Sequence, residues 1–257
     1  MDRRIEPELL DQLPGDDSRA IRSRRDLQRV NRWMGNVGTM ARTLQFCLNG
    51  KPSRQLAELG AGDGTFMLRV ARHLAVNSGV QRAGSDPPKA THTQASQDGN
   101  LIRPRSKILL LDKQRIISQE TQKAFEMLGW QAEPIEADVF DWISQPTLEA
   151  CDGIFANLFL HHFSEPQLRL LFSHIARLTS LFIAVEPRRS LWSVRFCRLL
   201  WLIGCNQVTR HDARISVRAG FEGDELSQLW PVEGIWSLME EPANLASHLF
   251  IARGGGG

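Results

Sequence analysis

The stretch QLAELGAGDGTFMLRVARHLA, residues 55–75, decides the fold of this chain. Its apolar start predicts a short buried strand, its glycines predict a turn, and the apolar spacing after Thr65 predicts an amphipathic helix. Because glycine has no Cβ, such a turn lets a ligand approach the backbone closely. Ligands of open α/β sheets bind beyond the carboxyl ends of the strands, so this turn is a candidate binding site.

Short apolar runs alternate with amphipathic segments along the rest of the chain. Apolar runs occur at 107–114, 151–163 and 181–187, and the segments between them have helical spacing. Strands that alternate with helices predict an α/β fold, with a mostly parallel sheet and helices on both faces. Two neighbouring runs near the end, IWSLMEE and SHLFIAR, predict an antiparallel pair at a sheet edge.

Local composition predicts the domain organisation. Residues 1–18 are polar and contain two prolines, which predicts a flexible leader, and residues 19–50 predict an N-terminal helical cap. Residues 51–253 then form one α/β domain. Within it, the stretch 77–106 is rich in glycine, proline and serine, which predicts a mobile insertion. Residues 254–257 are all glycine and predict a flexible tail.

The overall composition excludes several classes of protein. The chain has 257 residues, 42% of them hydrophobic and 23% charged, which is typical of a globular protein rather than a disordered one. Its net charge of +2 makes nucleic acid an unlikely partner, because proteins that neutralise many phosphates carry a larger basic excess. The four cysteines form no CxxC pair and predict reduced thiols. No signal peptide or transmembrane segment is evident, so we expect a cytoplasmic protein.

The spacing of the glycines distinguishes two kinds of cofactor site. A dinucleotide-binding turn would need glycine at position 65, which is threonine. The pattern Glu58-x-Gly60-x-Gly62-x-Gly64 instead resembles motif I of class I S-adenosylmethionine (SAM)-dependent methyltransferases. The resemblance implies a Rossmann-like, seven-stranded sheet, and SAM as cofactor. It also implies that the turn, including Ala61, packs against the methionine part of SAM.

Further positions along the chain carry the same resemblance. Asp112 ends the second strand, where a carboxylate can accept hydrogen bonds from ribose hydroxyls, and Lys113 follows it. Asp138 and Val139 resemble the place where this family holds adenine, through a carboxylate and a backbone amide. Asn157 ends the strand that resembles the fourth strand of this family, and it completes the predicted cofactor site. We expect no metal ion.

The residues after Asn157 indicate the kind of methyl acceptor. The run Asn157–Leu160 lacks the two prolines typical of enzymes that methylate DNA bases, and the following His161-His162 resembles many small-molecule methyltransferases, including those of ubiquinone and menaquinone biosynthesis. A histidine with a pKa near neutral could act as general base for a hydroxyl acceptor. His161, His162 and His211 are the candidates. Each could instead be structural, and alignment of acceptor and methyl group could suffice without a base.

Three segments are candidates for the substrate pocket. Glu186 ends the fifth strand and could bind substrate, although an ion pair with a neighbouring arginine is slightly favoured. The apolar stretch 191–204, with Trp201, could form a wall for an apolar substrate, a core or dimer helix, or a peripheral membrane contact. Trp33 and Met34 lie on a helix with six arginines, which is either a docked helix with a solvated basic face or a lid.

These observations predict a SAM-dependent methyltransferase that acts on a small, apolar or aromatic molecule and releases S-adenosylhomocysteine (SAH). Oxygen is the favoured acceptor atom and carbon the next. Secondary-metabolite or quinone-type substrates fit the pattern, and the protein is expected to be a monomer or a homodimer. The alternatives are an RNA or protein methyltransferase, a non-catalytic scaffold with the same fold, and a nicotinamide enzyme.

Overall fold

The computed structural model describes residues 1–48, 55–83 and 106–255, the side chains of 76–83 excepted. In this part of the chain seven strands form one sheet in the order β3-β2-β1-β4-β5-β7-β6. The strands are β1 (Gln55–Leu59), β2 (Ser106–Asp112), β3 (Trp130–Glu136), β4 (Gly153–Asn157), β5 (Leu181–Pro187), β6 (Trp236–Pro242) and β7 (Ser247–Gly254).

Strands β1 to β5 are parallel, and β7 runs antiparallel to both β5 and β6. This confirms the predicted α/β class with an antiparallel edge. Because the carboxyl ends of parallel strands meet at one edge of a sheet, the residues that follow β1, β2, β4 and β5 lie close together. Strands β1, β4 and β5 are buried almost throughout, as expected for strands covered on both faces.

Helices cover both faces of the sheet. One apolar cluster joins Leu59 of β1 to Phe172, and a second joins Leu56 of the same strand to Met40 and Met67. Side chains at alternate positions of this strand pack on opposite faces of the sheet, as the pleat requires. The helices are α1 (Leu9–Gln12), α2 (Ser18–Met34), α3 (Asn36–Leu48), α4 (Thr65–Ala83), α5 (Gln119–Met127), α6 (Val139–Ile143), α7 (Glu165–Leu178), α8 (Leu191–Cys197) and α9 (Gln207–Ala219).

Two helices, α2 and α3, form the N-terminal cap. The Asp17 carboxylate accepts a hydrogen bond from the Arg19 amide at 2.7 Å and begins α2. Gly35, with φ of 69°, ends α2 in the left-handed conformation, and α3 begins at the next residue. The cap therefore has the two helices that the sequence predicts.

The prediction of a flexible leader over residues 1–18 is wrong. The Arg3 guanidinium donates to the carbonyl oxygens of Ala219 and Phe163, each at 2.8 Å. The amides of Leu9 and Leu10, at the start of α1, donate to the carboxylate of Asp212, both at 2.9 Å. A carboxylate about 200 residues away thus satisfies the free amides of this short helix, which local composition cannot reveal.

The boundaries of the predicted insertion and tail also differ from the structure. Residues 77–83, predicted to begin the insertion at 77–106, continue α4, and Ser106 already belongs to β2. The remaining residues of that prediction, 84–105, lie outside the described residues. Of the predicted tail, Gly254 ends β7 and the Gly255 amide donates to Ile235 at 2.7 Å, while 256–257 lie outside the described residues.

The apolar stretch 191–204 is not one continuous helix. Helix α8 ends at Cys197, and hydrogen-bonded turns lead from there to Gly204, which has φ of 75°. Among the residues that the structure describes, no helix combines the length and apolarity needed to cross a bilayer.

Candidate active site

The glycine turn after β1 is tied to the end of β2. The Ala61 amide donates to the Leu111 carbonyl at 2.9 Å, and the Gly62 amide donates to Oδ2 of Asp112 at 2.8 Å. The other carboxylate oxygen of Asp112 accepts from the Gln114 amide at 2.9 Å. Each carboxylate oxygen has a second lone pair, so Asp112 keeps acceptor capacity for a ligand beside the turn.

Gly60, Gly62 and Gly64 all have positive φ, but their surroundings differ. A Cβ on Gly60 would lie 2.3 Å from the ring of Phe159, so this residue is fixed by close approach as well as by φ of 69°. At Gly62, with φ of 56°, no atom lies within 4 Å of such a Cβ. The turn is therefore packed at its first glycine and open at its second, which leaves room for a ligand at Gly62.

We expect Gly60→Ala to destabilise the protein far more than Gly62→Ala. Both substitutions place an L-residue in the left-handed region, at a cost of about 1–2 kcal/mol. Only Gly60→Ala adds a clash with Phe159, which should cost about 1–3 kcal/mol more. Urea unfolding of the two variants measures the difference. Equal losses of unfolding free energy would contradict this account of the turn.

Glu58 supplies a buried acidic group next to the turn. Its side chain is 2% exposed, and among the described residues its Oε2 has no hydrogen-bond partner. Burial, together with the carboxylates of Asp63 and Asp112, raises the pKa of Glu58 well above its usual value. A buried carboxyl group without a partner is costly, and a cationic group of a ligand would stabilise its ionised form.

A cavity that is open to solvent lies at the carboxyl ends of β2 and β3. It is lined by Leu110, Asp112, Gln114, Arg115, Ile117, Pro134, Ile135 and Glu136. Asp138 does not line this cavity. Its carboxylate accepts from the Phe140 amide at 2.8 Å, which begins α6, and pairs with Lys113 at 2.9 Å. Although burial opposes it, the hydrogen bond from Lys113 lowers the pKa of Asp138.

Lys113 and Val139, which directly follow Asp112 and Asp138, have different environments. Val139 is buried in the core under α6, whereas Lys113 is largely exposed. The structure thus brings Glu58, the glycine turn and Asp112 together at one edge of the sheet. It gives Asp138 and Lys113 an ion pair beside that edge.

Asn157, at the end of β4, joins the sheet to the N-terminal cap. Its Oδ1 accepts from the Asn36 amide group at 3.2 Å, and its Nδ2 donates to Asn31 at 3.2 Å. Asn36 also donates to Asn31 and accepts from the Ser247 hydroxyl. The sequence predicts that Asn157 binds cofactor, but in the described structure its side chain holds the corner between α2 and α3 against the mouth of the sheet.

A second cavity, partly open to solvent and called here the apolar cavity, lies beside this corner. Leu158 lines it with the strained φ of 53°, the left-handed conformation that non-glycine residues rarely adopt. The lining is mostly apolar: Glu8, Leu10, Ser23, Leu27, Val30, Met34, Leu158, Pro187, Ser193, Phe196, Cys197, Leu200, Thr209, Asp212, Ala213, Ser216, Val217 and Ala246. Its chemistry suits a mainly apolar molecule with one polar group.

Helix α2 connects this cavity with the glycine turn. Four of its residues line the cavity, while Gln28 donates to the Asp63 carboxylate in the turn at 2.7 Å. Helix α2 therefore borders both the cavity and the glycine turn. Of the predicted substrate residues here, Met34 lines the cavity, and Trp33 instead stacks on Phe196 with ring centroids 3.5 Å apart.

His161 lies between two carboxylates and is 3% exposed. Its Nδ1 donates to Oε2 of Glu186 at 2.8 Å, and its Nε2 lies 3.3 Å from Oε1 of Glu8. Burial alone would lower the pKa of His161, but the two carboxylates outweigh it and raise the pKa to about 9. Protonated and enclosed at neutral pH, His161 is suited to positioning Glu8 rather than to taking a proton directly from substrate.

Glu186 has neither of the roles that the sequence suggests for it. It is fully buried and accepts hydrogen bonds from the amides of Phe159 and Leu160 at 2.9 Å each, in addition to His161. The predicted ion pair with a neighbouring arginine is absent among the described contacts, since Arg189 pairs with Glu225 instead. Glu186 therefore fixes the turn after β4 and holds His161, and it does not line the cavity.

Glu8 is not identifiable from the sequence, yet its carboxylate places a negative charge at the wall of the cavity. Its carboxylate accepts from the Ser216 hydroxyl and contacts His161. Although burial opposes ionisation, the hydrogen bond from His161 lowers the pKa of Glu8, so it is ionised at neutral pH. Glu8 lies in the predicted leader, where no local signal marks it. Sequence reasoning likewise misses Phe159, which packs on Gly60.

His162 lies next to this group with its ring 4.2 Å from that of His161. Burial and the neighbouring His161 lower the pKa of His162 to about 4, and its Nδ1 lies 3.5 Å from Asp11. Within the described part of the chain, Glu8, His161 and His162 are the group whose ligand atoms, within 4.8 Å of one another, could hold a metal ion. Both nitrogens of His161 already face carboxylates, so the group is satisfied without one.

Two predicted site residues lie away from the cavity. His211 is about half exposed on α9 and does not line the cavity, whereas its neighbour Asp212 does, with its carboxylate occupied by the start of α1. Trp201 is 60% exposed on the turn after α8 and does not line the cavity either. The predicted wall of the pocket comes from other residues of that segment, Phe196, Cys197 and Leu200.

The sheet order, the glycine turn after β1 and the two cavities at the carboxyl ends define a Rossmann-like fold of the methyltransferase type. No protein-family model and no curated protein sequence matches the chain. Solved structures match at the level of fold.

Three of the similar structures are methyltransferases. The plantazolicin methyltransferase BpumL in complex with SAH has a TM-score of 0.59 at 14% identity, over 96% of this chain and 94% of that one. An O-methyltransferase family protein from Burkholderia thailandensis has a TM-score of 0.57 at 14% identity, over 95% of this chain and 62% of that one. The dimethyltransferase RosA from Streptomyces davawensis, which is named for 8-amino-8-demethyl-D-riboflavin, has 0.54 at 14% identity, over 97% and 62%. This chain therefore shares their fold.

Proposed function

We propose that the protein is a SAM-dependent methyltransferase acting on a small, mainly apolar or aromatic molecule, with oxygen as the favoured acceptor and carbon the next. The observation that carries the proposal is the buried, unsatisfied carboxylate of Glu58 beside an open glycine turn, with an apolar cavity at the same edge of the sheet. The fold shared with methyltransferases, one of them in complex with SAH, supports it.

The residues at the turn fit SAM. Glu58 would neutralise the amino group of its methionine part, and Gly62 leaves space for that part against the backbone. Asp112, which lines the cavity between β2 and β3, would accept hydrogen bonds from the ribose hydroxyls. When bound, SAM supplies an electrophilic methyl group, and SAH is left after its transfer.

The apolar cavity would hold the acceptor. Its lining is mostly apolar. Among its few polar groups, Glu8 has a charged carboxylate that accepts no hydrogen bond from a backbone amide in the described structure. A hydroxyl of the acceptor can donate to this carboxylate, which orients one oxygen lone pair and draws the proton away as the methyl group is transferred. This is why oxygen is favoured. Quinone-type or secondary-metabolite phenols are the acceptors that match this chemistry.

The residues behind Glu8 act through it. His161 holds the Glu8 carboxylate in place, and Glu186 fixes the ring of His161 and the turn that carries it. His161 and Glu186 are thus positioning residues, and Glu8 is the proposed proton acceptor. The proton of the acceptor hydroxyl passes to Glu8, whose charge the protonated His161 balances before transfer.

Calorimetric titration of the purified protein with SAM, SAH and NADH tests the cofactor. We expect micromolar binding of SAM and SAH and no binding of NADH, since Thr65 stands where a dinucleotide site needs glycine. Binding of NADH alone would favour a nicotinamide enzyme. A folded protein that binds none of the three would favour a non-catalytic scaffold.

A second assay tests the acceptor. Alkyl-substituted phenols are incubated with the protein and SAM carrying a radiolabelled methyl group, and the labelled organic product is extracted. We expect transfer to phenols whose alkyl groups fill the apolar cavity. Transfer to RNA or to protein side chains, with none to the phenols, would overturn the proposed acceptor class.

A further inference from the structure

We propose that the outer face of α8 and of the turn that follows it is a docking surface for an anionic lipid membrane. This face, called here the α8 face, consists of five large apolar side chains that are 45–69% exposed: Leu191, Trp192, Leu199, Trp201 and Leu202. Leucine and tryptophan are the residues that insert into the boundary between lipid headgroups and acyl chains. This docking does not depend on the proposed function.

The charge around the α8 face is strongly basic. Residues 188–204 contain four arginines and no acidic residue. Arg195 and Arg198 among them are exposed, whereas Arg189 is buried and pairs with Glu225. The Arg195 guanidinium lies 5.2 Å from the centre of the Trp192 ring, so charge and apolar surface are interleaved. Basic side chains beside inserted tryptophan attract a surface of anionic phospholipid.

Helix α2 extends the basic surface next to the α8 face. It is in contact with α8 through the stacked rings of Trp33 and Phe196, and the Arg29 guanidinium donates to the Ile203 carbonyl at 2.9 Å. The helix carries six arginines and one aspartate; Arg25 and Arg32 are exposed, and the exposed Arg29 pairs with Asp26. Arg25 and Arg32 therefore add positive charge next to the α8 face.

The combination of residues distinguishes a membrane from other occupants. RNA would use the arginines but has no place for three exposed leucines. A second copy of the chain in a two-fold contact would bring Arg195 and Arg198 close to their own counterparts, and like charges oppose that contact. An anionic bilayer accommodates both the apolar side chains and the arginines.

The opposite side of the same segment lines the apolar cavity, through Ser193, Phe196, Cys197 and Leu200. A membrane at the α8 face would therefore lie one helix away from the proposed acceptor site. If the proposed function is correct, an apolar acceptor dissolved in the bilayer can reach the cavity along this segment. That consequence rests on the proposed function, whereas the docking surface rests on exposure and charge alone.

Vesicle co-sedimentation of the full chain tests the docking surface. We expect binding to vesicles of phosphatidylcholine with phosphatidylglycerol, and at least ~10-fold weaker binding to phosphatidylcholine alone, because the arginines contribute only on an anionic surface. The double variants Trp192→Glu/Trp201→Glu and Arg195→Glu/Arg198→Glu should each reduce binding to the anionic vesicles at least ~10-fold.

A matched control separates this surface from general apolar exposure. Val232 and Ile235 are 97% and 83% exposed in the segment before β6, so Val232→Glu/Ile235→Glu introduces the same two negative charges as the tryptophan variant, at a different place. It should leave vesicle binding unchanged. Urea unfolding of each variant shows that it is folded, whether or not the protein binds SAH. Affinity for SAH is measured separately, so failure of docking and failure of the proposed function are distinguishable.

Four outcomes would overturn the proposal. They are binding to neither kind of vesicle, an equal loss in the control variant, a dimer in sedimentation velocity that only the α8-face variants dissociate, and tight binding of an RNA oligomer that the arginine variant alone abolishes. The third would assign the face to a second copy of the chain, and the fourth would assign it to RNA.

Discussion

Asp112→Ala is expected to weaken the binding of SAM and SAH by about 100-fold or more. The carboxylate would accept two hydrogen bonds from the ribose, and hydrogen bonds to a charged group contribute about 1.5–3 kcal/mol each. Loss of both corresponds to at least two powers of ten in Kd. Asp112 also holds the glycine turn through the Gly62 amide at 2.8 Å, so the turn loses its anchor in the same variant.

Calorimetry on Asp112→Ala and on Asp141→Ala measures this effect. Asp141 is an exposed carboxylate on α6, outside both cavities, and its removal should leave the affinity for SAH unchanged. Urea unfolding of Asp112→Ala shows whether the fold persists. If a folded Asp112→Ala protein binds SAH as tightly as the unchanged chain does, Asp112 is not a cofactor ligand.

The fold can be predicted from the sequence because its signals are local. The apolar runs of β1, β4 and β5 are buried on both faces, and each is followed by a turn and a helix. The helix caps are local as well: Asp17 begins α2 and Gly35 ends it, since each residue has the chemistry its position requires. The glycine turn and Asp112 are brought together by the register of two neighbouring parallel strands.

The acceptor side of the site can be predicted only in part, because its contacts join distant segments. Glu8 meets His161 across 153 positions, and nothing in the sequence around Glu8 indicates that partner. The sequence favours an adjacent arginine as the partner of Glu186, but its donors are the ring of His161 and amides of the turn after β4, such as that of Leu160, 26 positions before it. Local patterns identify residues whose side-chain chemistry suits a role in the site. The tertiary contacts decide which of them meet.

Glu8→Gln is expected to lower kcat for methylation of an alkylphenol by about 100-fold, with the affinity for SAH unchanged. The amide keeps the size of the side chain and its hydrogen bonds but cannot take the acceptor proton, and loss of a general base typically costs roughly 10²–10⁴-fold in rate. Asp11→Asn is the matched control, since it makes the same change on α1 at a carboxylate that is 62% exposed. It should leave kcat within about a factor of two, because Asp11 does not line the cavity.

The acidity of the acceptor separates proton transfer from a merely structural role of Glu8. A phenol that is already ionised needs no base, so the loss in Glu8→Gln should shrink as the pKa of the phenol falls below the pH of the assay. A structural role would give the same loss for every phenol. His161→Gln should show the same dependence more weakly, since His161 acts by holding Glu8 and the introduced amide would still offer a donor to that carboxylate. A loss in Glu8→Gln that is independent of phenol acidity would remove Glu8 as the proton acceptor and leave alignment of the reactants as the source of the rate.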